Sequence, residues 1–500
     1  MRLNPVFLIL VLLAGLTASS ALADPPTRVG RISLSDGALS LRHAGDPAWW
    51  PAAANTPMIM GDSLWVDQAS RGEVEIGAAE IRLDRQSEMT LLRLDDQTTQ
   101  IQLEQGALNL NVRFMPPGEL QLVTSVGTLT IFRPGEYHVD AGRPNGPPTQ
   151  LLMAVLDGEA RFSGPVGTAE LHSGQGAMVP PDLSGWSVVA VMPTAFDRWA
   201  EDRAASQQVT QSSQYVASDM TGTQDLDAYG SWEPVGDYGA VWFPASIPVG
   251  WAPYRFGHWA FVRPWGWTWI DEQPWGFAPF HYGRWASFDG RWGWLPGDRR
   301  ERPLYAPALV AFTGDRGAGI GWVPLGPHER FHPYYQASDG YEHGINRSHE
   351  GGNGRFETTA KGDQFVNHAA ASSVSAGSFT GGQPVHQNLA PPSGGRTGQA
   401  PVLGNLDHLP PPVAATGPAL PRPQTAPAAA VAPPASPPPQ ARFGVAAPNA
   451  VPPPAPLLPR PATPMPAVQP PRPSPPATPA APAQAAKAAP NDKEREHDHR

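Results

Sequence analysis

The segment WAPYRFGHW at residues 251–259 returns as FAPFHYGRW at residues 277–285. A Trp-Gly-Trp step follows each copy, at 265–267 and at 292–294. Fainter copies flank this pair on both sides: VWFP (241–244), YAP (305–307) and GWVP (321–324). Twelve of the 17 tryptophans lie within residues 232–322. Such repetition is typical of copies of one supersecondary unit that stack to share a core, so it predicts a small aromatic β-repeat domain over 228–335.

Two interpretations of these aromatic residues are open. On an exposed face, indole rings stack on the C–H faces of sugars. The four platforms would then be Trp259, Trp267, Trp285 and Trp294, and hydrogen bonds would come from Arg255, His258, His281 and Arg284. Alternatively, the rings form the core of short strands that contain few Leu or Ile, with about 150–250 Å² buried per ring. Repeated aromatics are most often structural, which favours the second interpretation.

Residues 24–192 alternate apolar and polar side chains, with turn signals at short intervals. Ile32 and Leu34 precede an Asp36-Gly37 turn, and the same pattern ends at Asp157-Gly158. Period-two runs joined by Asp-Gly turns indicate half-buried strands in hairpins. A dozen such strands predict an all-β domain, either a sandwich, a jelly roll or a β-solenoid.

Six short motifs in this region fall in the order seen in FecR-type periplasmic domains. They are GDSL (61–64), GEVEI (72–76), LEQGAL (103–108), RPGEYHV (133–139), VLDGEA (155–160) and LHSGQG (171–176). The resemblance covers roughly a third of the chain and implies an all-β domain that senses or transmits signals in the envelope. Residues 225–327 resemble an uncharacterised Trp/Gly/Pro-rich domain that often follows FecR-type domains. That second resemblance implies no activity.

The remaining segments are predicted to connect or extend these domains. In the connector, 193–227, Thr194 and Asp197 resemble a capping box, which predicts a short helix over 194–203 or an ordered loop held by Trp199. Residues 207–223 are polar and indicate a linker. Residues 336–500 are Gly/Ser-rich and then Pro/Ala-rich, with 30 of the 62 prolines in 401–490. Such a composition predicts a long disordered tail that favours polyproline conformations.

The amino terminus has the pattern of a secretory signal peptide over residues 1–23. Arg2 is followed by an apolar stretch, and Ala21-Leu22-Ala23 is a cleavage site of the A-x-A type. We therefore expect a periplasmic, secreted or surface protein of a Gram-negative bacterium, with no membrane span after cleavage. FecR-type sigma regulators carry a cytoplasmic segment and a transmembrane helix before this domain, so a transmembrane regulator is disfavoured.

Composition limits the classes of partner and chemistry. The chain has no cysteine, which excludes disulfides and thiol catalysis, and its formal net charge of −10 argues against a nucleic-acid partner. His328, Glu329 and His332 satisfy the H-E-x-x-H pattern of zinc hydrolases, whose chemistry needs a helix. Pro333 disfavours helical geometry at His332, so we expect no metal, cofactor or catalytic residue.

These patterns predict a non-enzymatic envelope protein with a FecR-like domain. It would act as a binding or scaffold component, or in association with signalling, with an envelope protein or cell-wall glycan as its partner. The main alternative is a carbohydrate- or peptidoglycan-binding module that uses the Trp repeats. Two further alternatives are a regulatory partner of a membrane-spanning signalling protein and a metal-dependent hydrolase at His328 and His332. The sequence leaves the ligand, the partner and the oligomeric state open.

Overall fold

A computed structural model describes residues 24–142, 150–207, 211–314, 319–349 and 365–390, together with 403, 404, 406 and 409. The predicted signal peptide and residues 410–500 of the predicted tail lie outside the described residues. Strands predominate over helices in these ranges, which confirms the prediction of an all-β protein. Across them, no helix has the length and apolar character needed to cross a membrane.

The first domain is built from the strands that the period-two pattern predicts. They are β1 (Gly30–Asp36), β2 (Leu39–Arg42), β3 (Trp50–Pro51), β4 (Pro57–Met58), β5 (Ser63–Val66), β6 (Arg71–Ile76), β7 (Ala79–Leu83), β8 (Glu88–Leu94), β9 (Thr98–Val112), β10 (Glu119–Thr124), β11 (Gly127–Ile131), β12 (Gly135–Gly142), β13 (Leu151–Asp157), β14 (Glu159–Gly164), β15 (Gly167–His172), β16 (Gln175–Val179) and β17 (Ser187–Ala190).

These strands form two sheets that face each other across one apolar core. One sheet has the order β4-β1-β6-β7-β9-β12-β13-β16-β17. The other has the order β3-β2-β5-β8-β9-β10-β11-β14-β15. Ile32 and Leu110 of the first sheet pack in one buried cluster with Leu64 and Leu122 of the second. The domain is therefore a β-sandwich, and among its described strand pairs only β9 and β10 run parallel, unlike a solenoid.

Strand β9 belongs to both sheets because the chain bends at Gly106. Its first half pairs with β8 and β10, and its second half pairs with β7 and β12. Gly106 has a φ of 82°, in the left-handed region, and a Cβ there would lie 2.6 Å from the Cα of Ser87. Glycine is therefore required at the bend.

Helix α1 (Ala195–Ser206) confirms the capping-box prediction, since the Thr194 and Asp197 side chains each accept a hydrogen bond from the other's backbone. The helix covers the outer face of the first sheet. Asp197 Oδ1 accepts hydrogen bonds from Asn109 Nδ2 at 2.9 Å and from His138 Nδ1 at 2.7 Å. These bonds explain how polar residues of the sheet are buried there.

In the described residues the second domain consists of four aromatic hairpins and four short helices, one of which lies between the second and third hairpins. Its strands are β18 (Gly230–Val235), β19 (Gly239–Pro244), β20 (Gly257–Val262), β21 (Gly266–Asp271), β22 (Arg284–Phe288), β23 (Arg291–Leu295), β24 (Val310–Thr313), β25 (Ile320–Pro324) and β26 (Ser372–Val374). Its helices are α2 (Leu226–Tyr229), α3 (Ala278–His281), α4 (Asp339–Asn346) and α5 (Ala376–Thr380). Short 3₁₀ turns lie at Ser212–Gln214, Gly236–Tyr238, Arg347–His349, His368–Ala370 and Val385–Gln387.

Each hairpin places two aromatic residues directly opposite each other. The four pairs are Trp232 with Trp242, Trp259 with Trp269, Trp285 with Trp294, and Phe312 with Trp322. The repeat unit is therefore a hairpin, as the sequence repetition predicts. The Trp-Gly-Trp steps are not equivalent, however, because Gly266 starts β21 whereas Gly293 lies within β23. The residue of the earlier copy that is equivalent to Trp294 is Trp269, because Trp269 lies opposite Trp259 as Trp294 lies opposite Trp285.

Two predicted boundaries are wrong. Residues 211–223 do not form a solvated linker, because Ser212, Val216 and Thr221 are buried. Order also continues beyond residue 335, since α4 packs Tyr341 into the aromatic core and β26 extends the sheet of β25.

A buried polar network joins the two domains. Arg31 of β1 donates from Nε to Asn55 Oδ1 at 3.0 Å, from Nη1 to Glu75 Oε2 at 3.2 Å and from Nη2 to Asp225 Oδ2 at 2.7 Å. The same Nη2 donates to the carbonyl oxygen of Pro274. Asn55 Nδ2 donates to the carbonyl oxygens of Asp271 and Gln273. Since Arg31 is 1% exposed, these contacts fix the orientation of one domain on the other.

Replacement of Arg31 should destabilise both domains together. In an Arg31→Met protein, the carboxylates of Glu75 and Asp225 lose their cation inside the interface, at a cost of about 3–5 kcal/mol. Urea unfolding followed by tryptophan fluorescence measures this loss. Arg161→Met is the matched control, because its ion pair with Glu170 is exposed at the surface and contributes about 0–1 kcal/mol. Equal losses in the two variants would contradict the role of Arg31.

Candidate functional site

The four tryptophans predicted as sugar platforms are buried. Trp259 and Trp285 are each 1% exposed, Trp267 is 3% exposed and Trp294 is fully buried. Trp285 and Trp294 also donate their indole N–H groups to the carbonyl oxygens of Pro279 and Tyr282, each at 2.8 Å. The platform prediction is therefore wrong, because these rings are the apolar surface from which short hairpins build a core.

The other residues of that predicted site separate into different places. Arg255 lies with Trp259 and Trp267 against residues 365–390, where its guanidinium donates to Ser372 and Ala370. Arg284 is buried and donates to Asn346 and to the backbone. His258 is half-buried, and burial lowers its pKa. The structure therefore places Arg255, Trp259 and Trp267 beside residues 365–390, with His258 close to Gly382, and it pairs Trp285 with Trp294 in another hairpin.

His281 is a core residue. Its Nδ1 donates to the carbonyl oxygen of Ala306 at 2.9 Å, and burial lowers its pKa to about 3, so the ring is neutral. Nε2 has no hydrogen-bond partner among the described atoms. The ring stacks on Tyr305 with centroids 4.8 Å apart. These contacts indicate a structural role in place of the predicted ligand contact.

The H-E-x-x-H segment is not helical, as Pro333 predicts. His328 has a φ of 61°, which is left-handed, and the His332 side chain is 71% exposed, 3.0 Å from Glu342 Oε1. Glu329 is buried, and its carboxylate accepts hydrogen bonds from the backbone N–H groups of Gly326 and Val366. Over the ranges that the structure describes, no group of three or more His, Asp or Glu side chains has an arrangement suited to a metal ion.

A groove of about 460 Å³ lies where the two domains meet. The sandwich contributes an apolar wall from Ile76 and residues 114–117, which include Phe114, 54% exposed. The repeat domain contributes residues 299–302, and residues 217–219 complete the lining. Gly77 permits this approach, because a Cβ there would lie 3.0 Å from the carbonyl oxygen of Asp219.

Arginines dominate the charged side of the groove. Arg302 pairs with Asp96, and Arg300 pairs with Asp298 at 2.8 Å. Arg299 is exposed and forms no hydrogen bond or ion pair with any residue that the structure describes. Its guanidinium is therefore available to an anionic group beside the apolar wall.

Arg28 is the buried cation of the groove. Its side chain is 9% exposed, and both of its hydrogen bonds to described residues leave from Nη1, to Thr99 Oγ1 at 3.2 Å and to the carbonyl oxygen of Asp95. Burial lowers the pKa of Arg28 and raises the pKa of Asp219, which lines the same groove. An anionic ligand would offset the desolvation of Arg28.

Sequence reasoning missed this groove because its walls come from distant parts of the chain. The sequence contains two local signals for the walls of the groove. One is a Phe-Met-Pro-Pro segment at 114–117, which is typical of a surface turn, and the other is an Arg-Arg-Glu-Arg run at 299–302. Neither signal indicates a site alone. Only the packing of the two domains places them opposite each other.

A family model described as a family of unknown function, DUF6600, matches residues 223–329. The match covers the four hairpins and confirms the resemblance of this region to an uncharacterised domain. A comparison with curated protein sequences finds no match.

Two crystal structures described as a "putative anti-sigma factor" from Parabacteroides distasonis ATCC 8503 are also similar to the chain. Their identities to it are 13% and 12%, both with a TM-score of 0.24. The matched region covers 28% of this chain and 62% and 63% of those chains, so less than two thirds of their length is spanned. A likeness at this TM-score gives no argument for a shared fold or function.

The buried His281 should make stability depend on pH. The folded protein keeps this ring neutral down to about pH 3, whereas the unfolded chain takes up a proton near pH 6.5. The unfolding free energy should therefore fall as the pH drops from 6.5 towards 3, by at most about 1.4 kcal/mol per pH unit from this group.

Urea unfolding at several pH values tests this dependence. A His281→Gln variant should lose that part of the slope, although it will be less stable at every pH. His332→Gln, which changes an exposed histidine, should keep the wild-type slope. An unchanged slope in His281→Gln would show that other groups cause the pH dependence.

Proposed function

We propose that the protein is a non-enzymatic component of the bacterial envelope that binds a segment of another polypeptide in the groove between its two domains. The observation that carries this proposal is that one groove is lined both by Arg299, whose guanidinium forms no hydrogen bond or ion pair with the described residues, and by the exposed ring of Phe114. A protein that binds another polypeptide without catalysing a reaction would act as a scaffold or in association with signalling. The partner would be another envelope protein.

The chemistry of the groove favours an acidic and partly apolar segment. Guanidinium groups bind carboxylates through paired N–H donors, and Arg299 offers such donors at the rim. Phe114 and the prolines beside it offer apolar contact, which is the part of an interface that contributes most of the affinity. A segment that alternates acidic and apolar side chains would meet both walls.

The contacts between the domains support a preformed site. Thr221 holds the segment that includes residues 217–219 on the sandwich, because its hydroxyl accepts from the backbone N–H of Gly77 at 2.9 Å and donates to the carbonyl oxygen of Val29 at 3.1 Å. Arg302 likewise donates to Thr27 Oγ1 at 2.8 Å. A groove held in this way loses little freedom when a ligand binds, which favours affinity.

The envelope location and the FecR-like character belong to the proposal. The FecR-type motifs fall on strands and turns of the sandwich: Gly158 of the VLDGEA motif has a φ of 105° in the turn between β13 and β14, and Gly135 of the RPGEYHV motif has a φ of 152° at the start of β12. These positions need glycine, which supports reading the motifs as features of the fold.

Peptide binding to the purified protein tests the groove. We expect a fluorescein-labelled peptide, Asp-Leu-Glu-Phe-Glu-Leu-Asp, to raise its fluorescence polarisation with the wild-type protein. A peptide with Lys at each acidic position should not bind, because it would meet Arg299 with like charge. Arg299→Glu should weaken binding of the acidic peptide by at least about tenfold, equivalent to about 1.4 kcal/mol.

Two controls make this experiment decisive. Arg161→Glu changes an exposed arginine on β14, outside the groove, and should bind as the wild type does. Phe114→Ala should also weaken binding if the apolar wall contributes. Equal affinity in Arg299→Glu and wild type, or no binding by the wild type, would refute the groove as the site.

Export can be tested with residues 1–30 fused to an alkaline phosphatase that lacks its own leader. This enzyme becomes active only where disulfides form, so a functional leader should give phosphatase activity in a Gram-negative host. Leu10→Arg interrupts the apolar stretch and should abolish the activity. Absence of activity from the unmodified fusion would contradict the envelope location.

A further inference from the structure

Residues 365–390, here called the strap, pack on the repeat domain although they lie beyond the DUF6600 match at 223–329. Four apolar side chains of the strap are buried: Ala370, Val374, Phe379 and Val385. Its other residues are mostly small or polar, and Val366 is 59% exposed. The strap therefore consists of one three-residue strand, β26, between short helical turns, and a few apolar side chains hold it on the repeat domain.

The strap adds a strand to an existing sheet. Strand β26 pairs antiparallel with β25, with Val374 opposite Ile320 and Ser372 opposite Trp322. Main-chain pairing of this kind is the usual way in which an extended peptide binds a sheet edge. It accepts many sequences, because the bonds come from the backbone.

An aromatic cradle receives one side chain of the strap. Trp259, Trp267, Phe312 and Trp322 form the cradle, and Phe379 enters it with 1% of its surface exposed. The ring of Phe379 lies 4.7 Å from Trp267, 5.4 Å from Trp259, 6.0 Å from Phe312 and 6.2 Å from Trp322, between centroids. The cradle therefore selects for an aromatic group five residues after Val374.

Polar contacts at the start of the strap use both its backbone and its side chains, since Asn367 Nδ2 donates to the carbonyl oxygen of Trp285 at 2.7 Å. The carboxylate of Glu329 accepts a hydrogen bond from the N–H of Val366 at 2.7 Å, and Arg255 Nη2 donates to the carbonyl oxygen of Ala370 at 3.3 Å. The acid of the H-E-x-x-H segment and a predicted ligand-binding arginine thus both bind the turn that precedes β26.

We propose that the cradle and the edge of β25 form a peptide-docking site, which the strap occupies within its own chain. A partner polypeptide that pairs with β25 and inserts an aromatic side chain would displace the strap. The strap itself shows the required chemistry: a three-residue strand that pairs with β25, followed by one helical turn that carries an aromatic anchor. This site is separate from the groove, and the inference does not depend on the proposed function.

Binding of the strap peptide in trans tests the proposal. A fluorescently labelled synthetic peptide of residues 365–390 is added to the full-length protein, either wild type or Phe379→Ala. We expect Phe379→Ala to bind the peptide at least about tenfold more tightly than the wild type, because its own strap no longer fills the cradle. A peptide that carries Ala in place of Phe379 should not bind either protein.

Three further variants and probes define the outcome. Val366→Ala changes an exposed strap residue and should behave as the wild type. Arg299→Glu should leave peptide exchange unchanged, which separates this site from the groove. Equal peptide affinity in Phe379→Ala and wild type would overturn the proposal. Binding of peptidoglycan sacculi, and not of the peptide, by Phe379→Ala would overturn it in favour of a glycan site.

Hydrogen exchange keeps the proposal testable if Phe379→Ala fails to fold. In the wild-type protein, a strap that a partner can displace should also detach from the repeat domain without unfolding of the rest of that domain. The backbone amide hydrogens of β26 should therefore exchange with solvent at least about tenfold faster than those of β21. Equal exchange rates in the two strands would show that the strap opens only with the whole domain, and would overturn the proposal.

Discussion

The buried guanidinium of Arg31 is the constraint on which the arrangement of the two domains depends. A charged group without access to water must find partners for its N–H donors, and Arg31 finds them in both domains at once, in Glu75 of the sandwich and in Asp225 and Pro274 beyond it. Few relative positions of the domains satisfy all these bonds together. The hydrogen bonds of Arg31 therefore also determine the shape of the groove, since the walls of the groove belong to different domains.

The repeat domain replaces aliphatic packing by aromatic packing. Each hairpin supplies two opposed rings, and several indole N–H groups donate to carbonyl oxygens of the loops between hairpins, as Trp322 does to Tyr254 at 3.0 Å. One side chain therefore contributes apolar area and also satisfies a loop. This dual role of the tryptophans suits a chain without cysteine, because its loops cannot be held by disulfides and need other contacts to fix them.

Local chemistry in the sequence was enough to predict local structure. The period-two runs and Asp-Gly turns predicted the strands of the sandwich, and the Thr194 and Asp197 pair predicted the cap of α1. Composition misled where tertiary contacts decide the outcome. Ser212 and Thr221 belong to a segment with the composition of a linker, yet both are buried. The Thr221 hydroxyl bonds to the backbone of the sandwich, and the Ser212 hydroxyl bonds to Asp227 and Trp232. No short stretch of sequence contains both walls of the groove, so neither of its two local signals indicated a site alone.

Strand β9 has a consequence for how the sandwich assembles. Because its two halves lie in different sheets, neither layer is complete until residues on both sides of Gly106 are in register. The sandwich therefore has no point at which the chain divides into two self-sufficient halves, and its strands pair across long stretches of sequence. Chains with such distant pairings fold slowly compared with proteins built from neighbouring contacts. A nascent chain would have to reach β15 before the second layer is complete, and β17 before the first layer is complete.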